Sequence, residues 1–232
     1  MAQKSEPLKY SERTDKILSR DPVEVRRYAG YTRINHWVTA VSLILLLLSG
    51  MALFTPSLFF LTNLFGGGQN TRMLHPMIGV VLVISFMILF LQLWKFNIPR
   101  REDIQWGANI KAVMQGDEEK LPPLGKYNLG QKFVFWAMFG LIIVLIVTGV
   151  MMWEQFFGGL VSIPVRRIAI LIHAVSAVLI TLVFILHVYA AIWTRGTLSA
   201  MTSGKVTGGW AFKHHQKWFK ELARRQRSDP TE

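Results

Sequence analysis

The sequence has no cysteine anywhere in its 232 residues. That excludes disulfides, iron–sulfur clusters held by this chain, and haem attached covalently through Cys-x-x-Cys-His. Acidic residues are scarce, 14 against 26 Lys and Arg, for a formal net charge of +12. Amphipathic stretches are missing as well, so no set of striped helices is available to wrap a soluble core. No internal repeat or low-complexity segment is visible, and the Gly66–Gly68 run reads as a loop. A polar segment of more than thirty residues precedes the first apolar run, and no small-residue cleavage site follows that run, so no cleavable signal is expected.

What the chain does have is hydrophobicity, 51% by residue, bunched into long charge-free runs. The first extends from Ile34 to Thr71 and is most apolar over Trp37–Phe54; the others are Pro76–Trp94, Phe133–Trp153 and Ile168–Thr194. About 20 apolar residues span a bilayer, so the expected fold class is all-α, an integral membrane four-helix bundle. Three parts are expected: a basic segment over 1–33, the transmembrane domain over 34–195 and a basic tail over 196–232. The final "RRQRSDPTE" reads as a solvated, frayed end.

The charge is distributed unevenly. Eight basic residues precede the first run (Lys4, Lys9, Arg13, Lys16, Arg20, Arg26, Arg27 and Arg33), and eight follow the fourth, from Arg195 to Arg227. Seven lie between runs two and three: Lys95, Arg100, Arg101, Lys111, Lys120, Lys126 and Lys132. Only Arg72, Arg166 and Arg167 fall in the other two loops. Twenty-three cations on one side against three on the other place both termini in the cytoplasm by the positive-inside rule. The basicity marks topology, and no nucleic-acid site is expected.

Of six histidines, His214 and His215 lie in the polar stretch "WAFKHHQKWFKELARRQ" and read as surface residues. The other four lie in or beside the apolar runs. With the termini inside, His36 and His187 share the inner depth, while His75 and His173 share the outer one. In "LIHAVSAVLITLVFILHVY" the two rings are fourteen residues apart. At about 100° and 1.5 Å per residue they return to within roughly 40° of one direction, roughly 21 Å apart along the axis. Two imidazoles from different helices at one depth suit the iron of a b-type haem. A proton relay or polar helix contact is the alternative for a lone membrane histidine, and zinc is less well served, since it wants several ligands at one point. Gly50 and Gly79, on nearly the faces of His36 and His75, are candidates for macrocycle clearance; helix packing is their other reading.

Five motifs in order, "RINHW", "MLHPMIG", "KYNLGQK", "LIHAVSAV" and "LHVYAAIWTRGTL", resemble the cytochrome b556 (gamma) subunits of respiratory formate dehydrogenases over about residues 28–220. The wider group includes the membrane cytochromes b of nickel–iron hydrogenases and thiosulfate reductases. The resemblance implies two haem b groups, His75 and His173 holding the outer and His36 and His187 the inner. It implies a quinone, menaquinone or ubiquinone, reduced near the inner haem with Asn128, Gln131 and His187 in contact. It further implies an iron–sulfur beta subunit, a molybdenum or tungsten catalytic alpha subunit that oxidises formate, and a higher oligomer of that complex in the bacterial inner membrane. The basic N-terminal segment is longer than in the family pattern, and residues 1–27 have no assigned role.

The expected function is electron conduction in anaerobic respiration: from the iron–sulfur subunit outside, to quinone inside, with proton uptake from the cytoplasm. Formate oxidation belongs to another subunit, and no catalytic residue is assigned here. Arg72, Arg166 and Arg167, and Arg33 on the inner side, are candidates for pairing with haem propionates. The alternatives are a hydrogenase cytochrome b, or a haem-free transporter or anchor.

Overall fold

The computed structural model describes residues 9–115 and 121–228. Lys4 and Lys120 of the charge count, and the final "DPTE", lie outside the described residues. In chain order the elements are β1 (Lys16–Arg20), β2 (Val23–Arg26), α1 (Gly30–Phe54), α2 (Gly68–Leu93), α3 (Arg101–Ala108), α4 (Ile110–Gln115), α5 (Leu129–Met152), α6 (Glu154–Phe157), α7 (Ile163–Trp193), α8 (Thr197–Thr202), β3 (Lys205–Thr207), α9 (Gly208–His214) and α10 (Gln216–Ser228). A 3-10 helix, Pro56–Phe65, separates α1 from α2. The first apolar run therefore stops being α-helical at Phe54. Pro56 forces Thr55 into an extended conformation (φ −130°, ψ 133°), and the chain cannot continue its helix through it.

The chain divides into two units. The first comprises residues 34–92 and 134–189. Its four helices, α1, α2, α5 and α7, are each long and apolar enough to cross a membrane. Each gives side chains to one buried cluster, with Leu43 from α1, Leu82 and Phe86 from α2, Met138 and Ile142 from α5, and Ile180 from α7. Phe90 of α2 stacks on Phe139 of α5 at 4.1 Å between ring centres. Asn35 Nδ2 donates to Ser85 O at 2.8 Å, and the Thr39 hydroxyl bonds that of Ser85 at 3.0 Å, pinning α1 to α2. Beyond this core, Ile84, Leu91, Val147, Leu171, Val178 and Leu182 are exposed. A helix apolar on its outer faces as well as its inner one suits a lipid solvent, and the bundle needs only small internal contacts of this kind.

The second unit comprises residues 1–33, 93–133 and 190–232. It corrects the all-α expectation, because it holds an antiparallel three-stranded sheet in the order β1-β2-β3. Val25 of β2 stands opposite Val206 of β3, and both are buried. Strands of three to five residues are too short to show a period in the sequence, and β3 (Lys205–Thr207) finds its partner at Glu24–Arg26, far earlier in the chain. Gly204 sits at φ +83°, and a Cβ there would lie 2.8 Å from Tyr28 O; its carbonyl accepts from the amides of Arg27 and Tyr28 at 2.8 and 3.3 Å. The turn thus requires glycine both for its backbone sign and for the close approach.

The tail is also more ordered than expected. Arg224–Ser228 belong to α10, and Arg225 donates to the carbonyls of Glu12 and Asp15. Trp218 and Leu222 of α10 are fully buried with Val25, Tyr28, Tyr127 and Ala211. His215, expected at the surface, is buried. Arg27 Nη2 lies 3.3 Å from its Nε2, and its Nδ1 lies 2.8 Å from Gly125 O. A guanidinium only donates, so Nε2 accepts and Nδ1 carries the proton. The Arg27 guanidinium is itself 5.0 Å from the ring centres of both Trp210 and Trp218. Lys126 is buried against Asp15 at 2.8 Å and Glu12 at 2.6 Å, and Trp218 Nε1 completes Asp15 at 2.9 Å. Such pairing offsets the cost of burying the ammonium.

Burial, and then the positive charge of Arg27, push His215 well below its ordinary value of 6.5. The folded unit therefore binds fewer protons at this ring than the unfolded chain does. The stability this confers is fully present above the unfolded value and is lost as pH falls below it. Glu12 acts in the opposite sense, because burial raises its carboxyl above its ordinary 4.5 despite Lys126. Hydrogen-exchange protection in residues 205–222 of the intact protein, corrected for the intrinsic chemical rate at each pH, should fall from about pH 7 to about pH 5. His215→Gln should weaken that dependence; an unchanged profile would show that another group sets it.

Candidate functional site

Four imidazoles lie within the helical unit, and they meet in two pairs. His36 of α1 and His187 of α7 have ring centres 6.3 Å apart with planes at 48°. His75 of α2 and His173 of α7 have ring centres 6.3 Å apart with planes at 62°. The pairs are those expected from depth and spacing. An imidazole nitrogen binds a metal at about 2.0 Å, with the ring centre about 1.15 Å beyond, so two rings on opposite sides of one iron stand roughly 6.3 Å apart. Both pairs match that separation, and it is too wide for the rings to bond one another directly. Among the described residues no group of three or more His, Cys, Asp or Glu converges. The donor set is therefore two nitrogens per site, which fits a haem iron, whose other four positions the porphyrin fills.

The His75–His173 pair carries further support that the sequence reading missed. The Ser49 hydroxyl lies 2.8 Å from His75 Nδ1, and the Thr148 hydroxyl lies 2.8 Å from His173 Nδ1. Each hydroxyl belongs to the long helix preceding its histidine's helix, α1 for α2 and α5 for α7. The residue after each hydroxyl is glycine. A Cβ on Gly50 would stand 3.4 Å from His75 Cε1, and one on Gly149 would stand 3.5 Å from His173 Cε1. Both distances are ordinary van der Waals contact, so each glycine borders its imidazole closely. A Cβ on Gly79 would meet nothing within 4 Å, which leaves open space on that part of α2. The only sequence signal for these supports was the repeated hydroxyl–glycine pair, "SG" at 49–50 and "TG" at 148–149.

His36 sits edge-on to Trp37 at 5.7 Å, and its Nδ1 is buried with no hydrogen-bond partner among the described residues. The candidate propionate arginines are not gathered together. Arg166 is held by Glu154 Oε1 at 2.8 Å and Gly158 O at 2.9 Å, leaving a buried Nε without a partner among the described residues. Arg72 and Arg167 are exposed. Arg33 donates to Thr202 O, and its Nε is buried and without a partner among the described residues.

Asn128 and Gln131 form a reciprocal cap at the start of α5. Gln131 N donates to Asn128 Oδ1 at 2.9 Å, and Asn128 N donates to Gln131 Oε1 at 3.0 Å. This capping box satisfies two otherwise orphaned amides. It also uses both side-chain oxygens as acceptors, so each amide group retains NH2 donors. Lys132, one residue on, is buried against Asp103 at 2.6 Å, which anchors the same turn.

Against this geometry the comparisons with known proteins can be set. Residues 27–204 match the family model described as prokaryotic cytochrome b561. The formate dehydrogenase cytochrome b556(fdo) subunit of Escherichia coli (strain K12) is 42% identical over 196 residues, covering 84% of this chain and 92% of that protein. The formate dehydrogenase cytochrome b556 subunit of Haemophilus influenzae is 37% identical over 206 residues, covering 89% and 87%. The nitrate-inducible cytochrome b556(Fdn) subunit of Escherichia coli (strain K12) is 38% identical over 200 residues, covering 86% and 92%. The matched stretch takes in both imidazole pairs, the four long helices and the capped turn, and the chain belongs to the prokaryotic cytochrome b561 family and, within it, to the formate dehydrogenase cytochrome b556 subunits.

Proposed function

We propose that this chain is the membrane electron-carrying subunit of a bacterial formate dehydrogenase complex, receiving electrons from an iron–sulfur partner and delivering them to quinone. The observation that carries the reading is the pair of matched imidazole separations, 6.3 Å each, within one apolar bundle. His36 and His187 would hold one haem b, and His75 and His173 the other. Bound there, haem supplies a reversible one-electron iron couple at each level. The chain's own part is to fix the rings, exclude water and set the spacing along α7.

The charge asymmetry of the sequence supports an orientation with both termini in the cytoplasm. Residues 34–195 then carry the electron path, flanked by 1–33 and 196–232 on the cytoplasmic side. In that orientation His75 and His173 lie toward the outer face, where the iron–sulfur and molybdenum or tungsten subunits would dock. Charge is then separated across the membrane as quinone takes up protons inside. By likeness to the family, Asn128, Gln131 and His187 serve the quinone. The capping box suits that task, because it turns both amide oxygens to the backbone and keeps NH2 donors for a quinone carbonyl.

Three outcomes follow. His75→Ala and His173→Ala should each remove the same single haem, and His36→Ala and His187→Ala the other, as read by haem per chain and redox titration. A haem lost in both His75→Ala and His187→Ala would break the pairing. Reporter fusions at residues 65 and 160 should be active only outside, and one at 125 only inside; cytoplasmic activity at 65 or 160 would invert the topology. Asn128→Asp keeps a capping oxygen but removes the NH2 donor. It should leave both haems and their reduction intact while slowing quinone reduction about 5- to 150-fold, the equivalent of about 1–3 kcal/mol. Asn128→Ala should add the loss of the cap, about 0.5–2 kcal/mol of stability. Normal quinone reduction in Asn128→Asp would restrict Asn128 to the cap.

A further inference from the structure

The two outer histidines are supported by one device used twice. Ser49 Oγ donates to Leu45 O at 2.7 Å, and Thr148 Oγ1 donates to Val144 O at 2.7 Å. A hydroxyl has one hydrogen. Spent on the carbonyl one turn earlier, it leaves only oxygen lone pairs toward the imidazole, 2.8 Å away in each case. The ring nitrogen must then be the donor, so Nδ1 is protonated in both His75 and His173, and Nε2 carries the free lone pair. The fixed tautomer is the one an axial ligand needs. Both hydroxyl residues are buried, which shields these bonds from competing water. The glycine that follows each lies beside the ring, a Cβ there standing 3.4 and 3.5 Å from a ring carbon, at ordinary contact distance.

We propose that Ser49 and Thr148 are positioning residues that lock the tautomer and orientation of the His75–His173 pair and hold its redox couple below that of the His36–His187 pair. The inference rests on the reading of each pair as the axial ligands of one haem. An acceptor on Nδ1–H draws its proton away and makes the imidazole a stronger donor through Nε2, which favours the ferric state. Two such acceptors act on one pair. On the other, Nδ1 of His36 is buried without a protein partner among the described residues. The difference makes electron movement from the His75–His173 level to the His36–His187 level downhill, the direction that delivery to an inner quinone requires.

The test uses the assembled complex, or the purified full chain reconstituted with haem. Ser49→Ala, Thr148→Val and the double variant are compared with the conservative Ser49→Thr and Thr148→Ser. Haem per chain, both midpoint potentials and the ferric electron paramagnetic resonance spectrum are read for each. The couple that His75→Ala abolishes should move to higher potential in each hydroxyl deletion, furthest in the double variant, with its ferric signal altered. The other couple should stay in place, and the conservative variants should resemble the parent. Loss of that one haem in Ser49→Ala with retention in Ser49→Thr would equally support the hydroxyl's role. Two unmoved couples in the double variant, or movement confined to the His36–His187 couple, would overturn the proposal. If His75→Ala and His173→Ala do not abolish the same couple, the pairing itself is at fault, and that failure is recognised before any hydroxyl variant is compared.

Discussion

The arrangement of the helical unit depends on holding two imidazoles 6.3 Å apart at each of two levels. That gap suits a metal between the rings and is too wide for a direct bond from ring to ring. It constrains the helices that supply the rings, because α7 must present both His173 and His187 to one side while α1 and α2 each bring one partner. Helix α5 gives no imidazole. Its contributions are Thr148 behind His173 and the Met138 and Ile142 contacts of the core. Around these fixed points the helices need little internal packing, and their remaining faces are left apolar and exposed. Titratable rings are costly at membrane depth; here they occur in facing pairs, two of them with hydroxyl partners.

The other unit solves a different problem, that of a strongly basic chain with few acids. Its buried lysines are matched to acids: Lys126 with Asp15 and Glu12, and Lys132 with Asp103. Glu221 accepts from the amides of Lys9 and Tyr10 at 2.9 and 2.7 Å, so the N-terminal segment, for which the sequence suggested no role, is tied to α10. The scarce carboxylates are used where burial demands them. Arg27, buried without a carboxylate among the described residues, is met instead by the Lys126 carbonyl, His215 and the rings of Trp210 and Trp218.

Much of the site was legible because its signals are long or periodic. Four apolar runs, a fourteen-residue histidine spacing and a lopsided count of Lys and Arg survive without any knowledge of packing. What was missed depends on contacts between distant segments. The sheet escaped notice because β2 and β3 are short and far apart in sequence. The burial of His215 follows from Arg27 and Gly125, neither near it in the chain, so "KHHQK" read as surface. Asn128 and Gln131 were noticed through family likeness, although the Asn-x-x-Gln spacing is itself a capping signature. Ser49 and Thr148 looked like ordinary small polar residues in membrane helices until their histidines were placed beside them.

The central claim is that each imidazole pair binds one haem through both of its rings. It is tested most directly on the purified protein by combining the haem-to-chain ratio with near-infrared magnetic circular dichroism of the oxidised form, which identifies the axial ligands of low-spin ferric haem. The account predicts two haems per chain, both with two nitrogen ligands from histidine. One haem per chain, or a second haem whose signature requires methionine or an oxygen ligand, would contradict it.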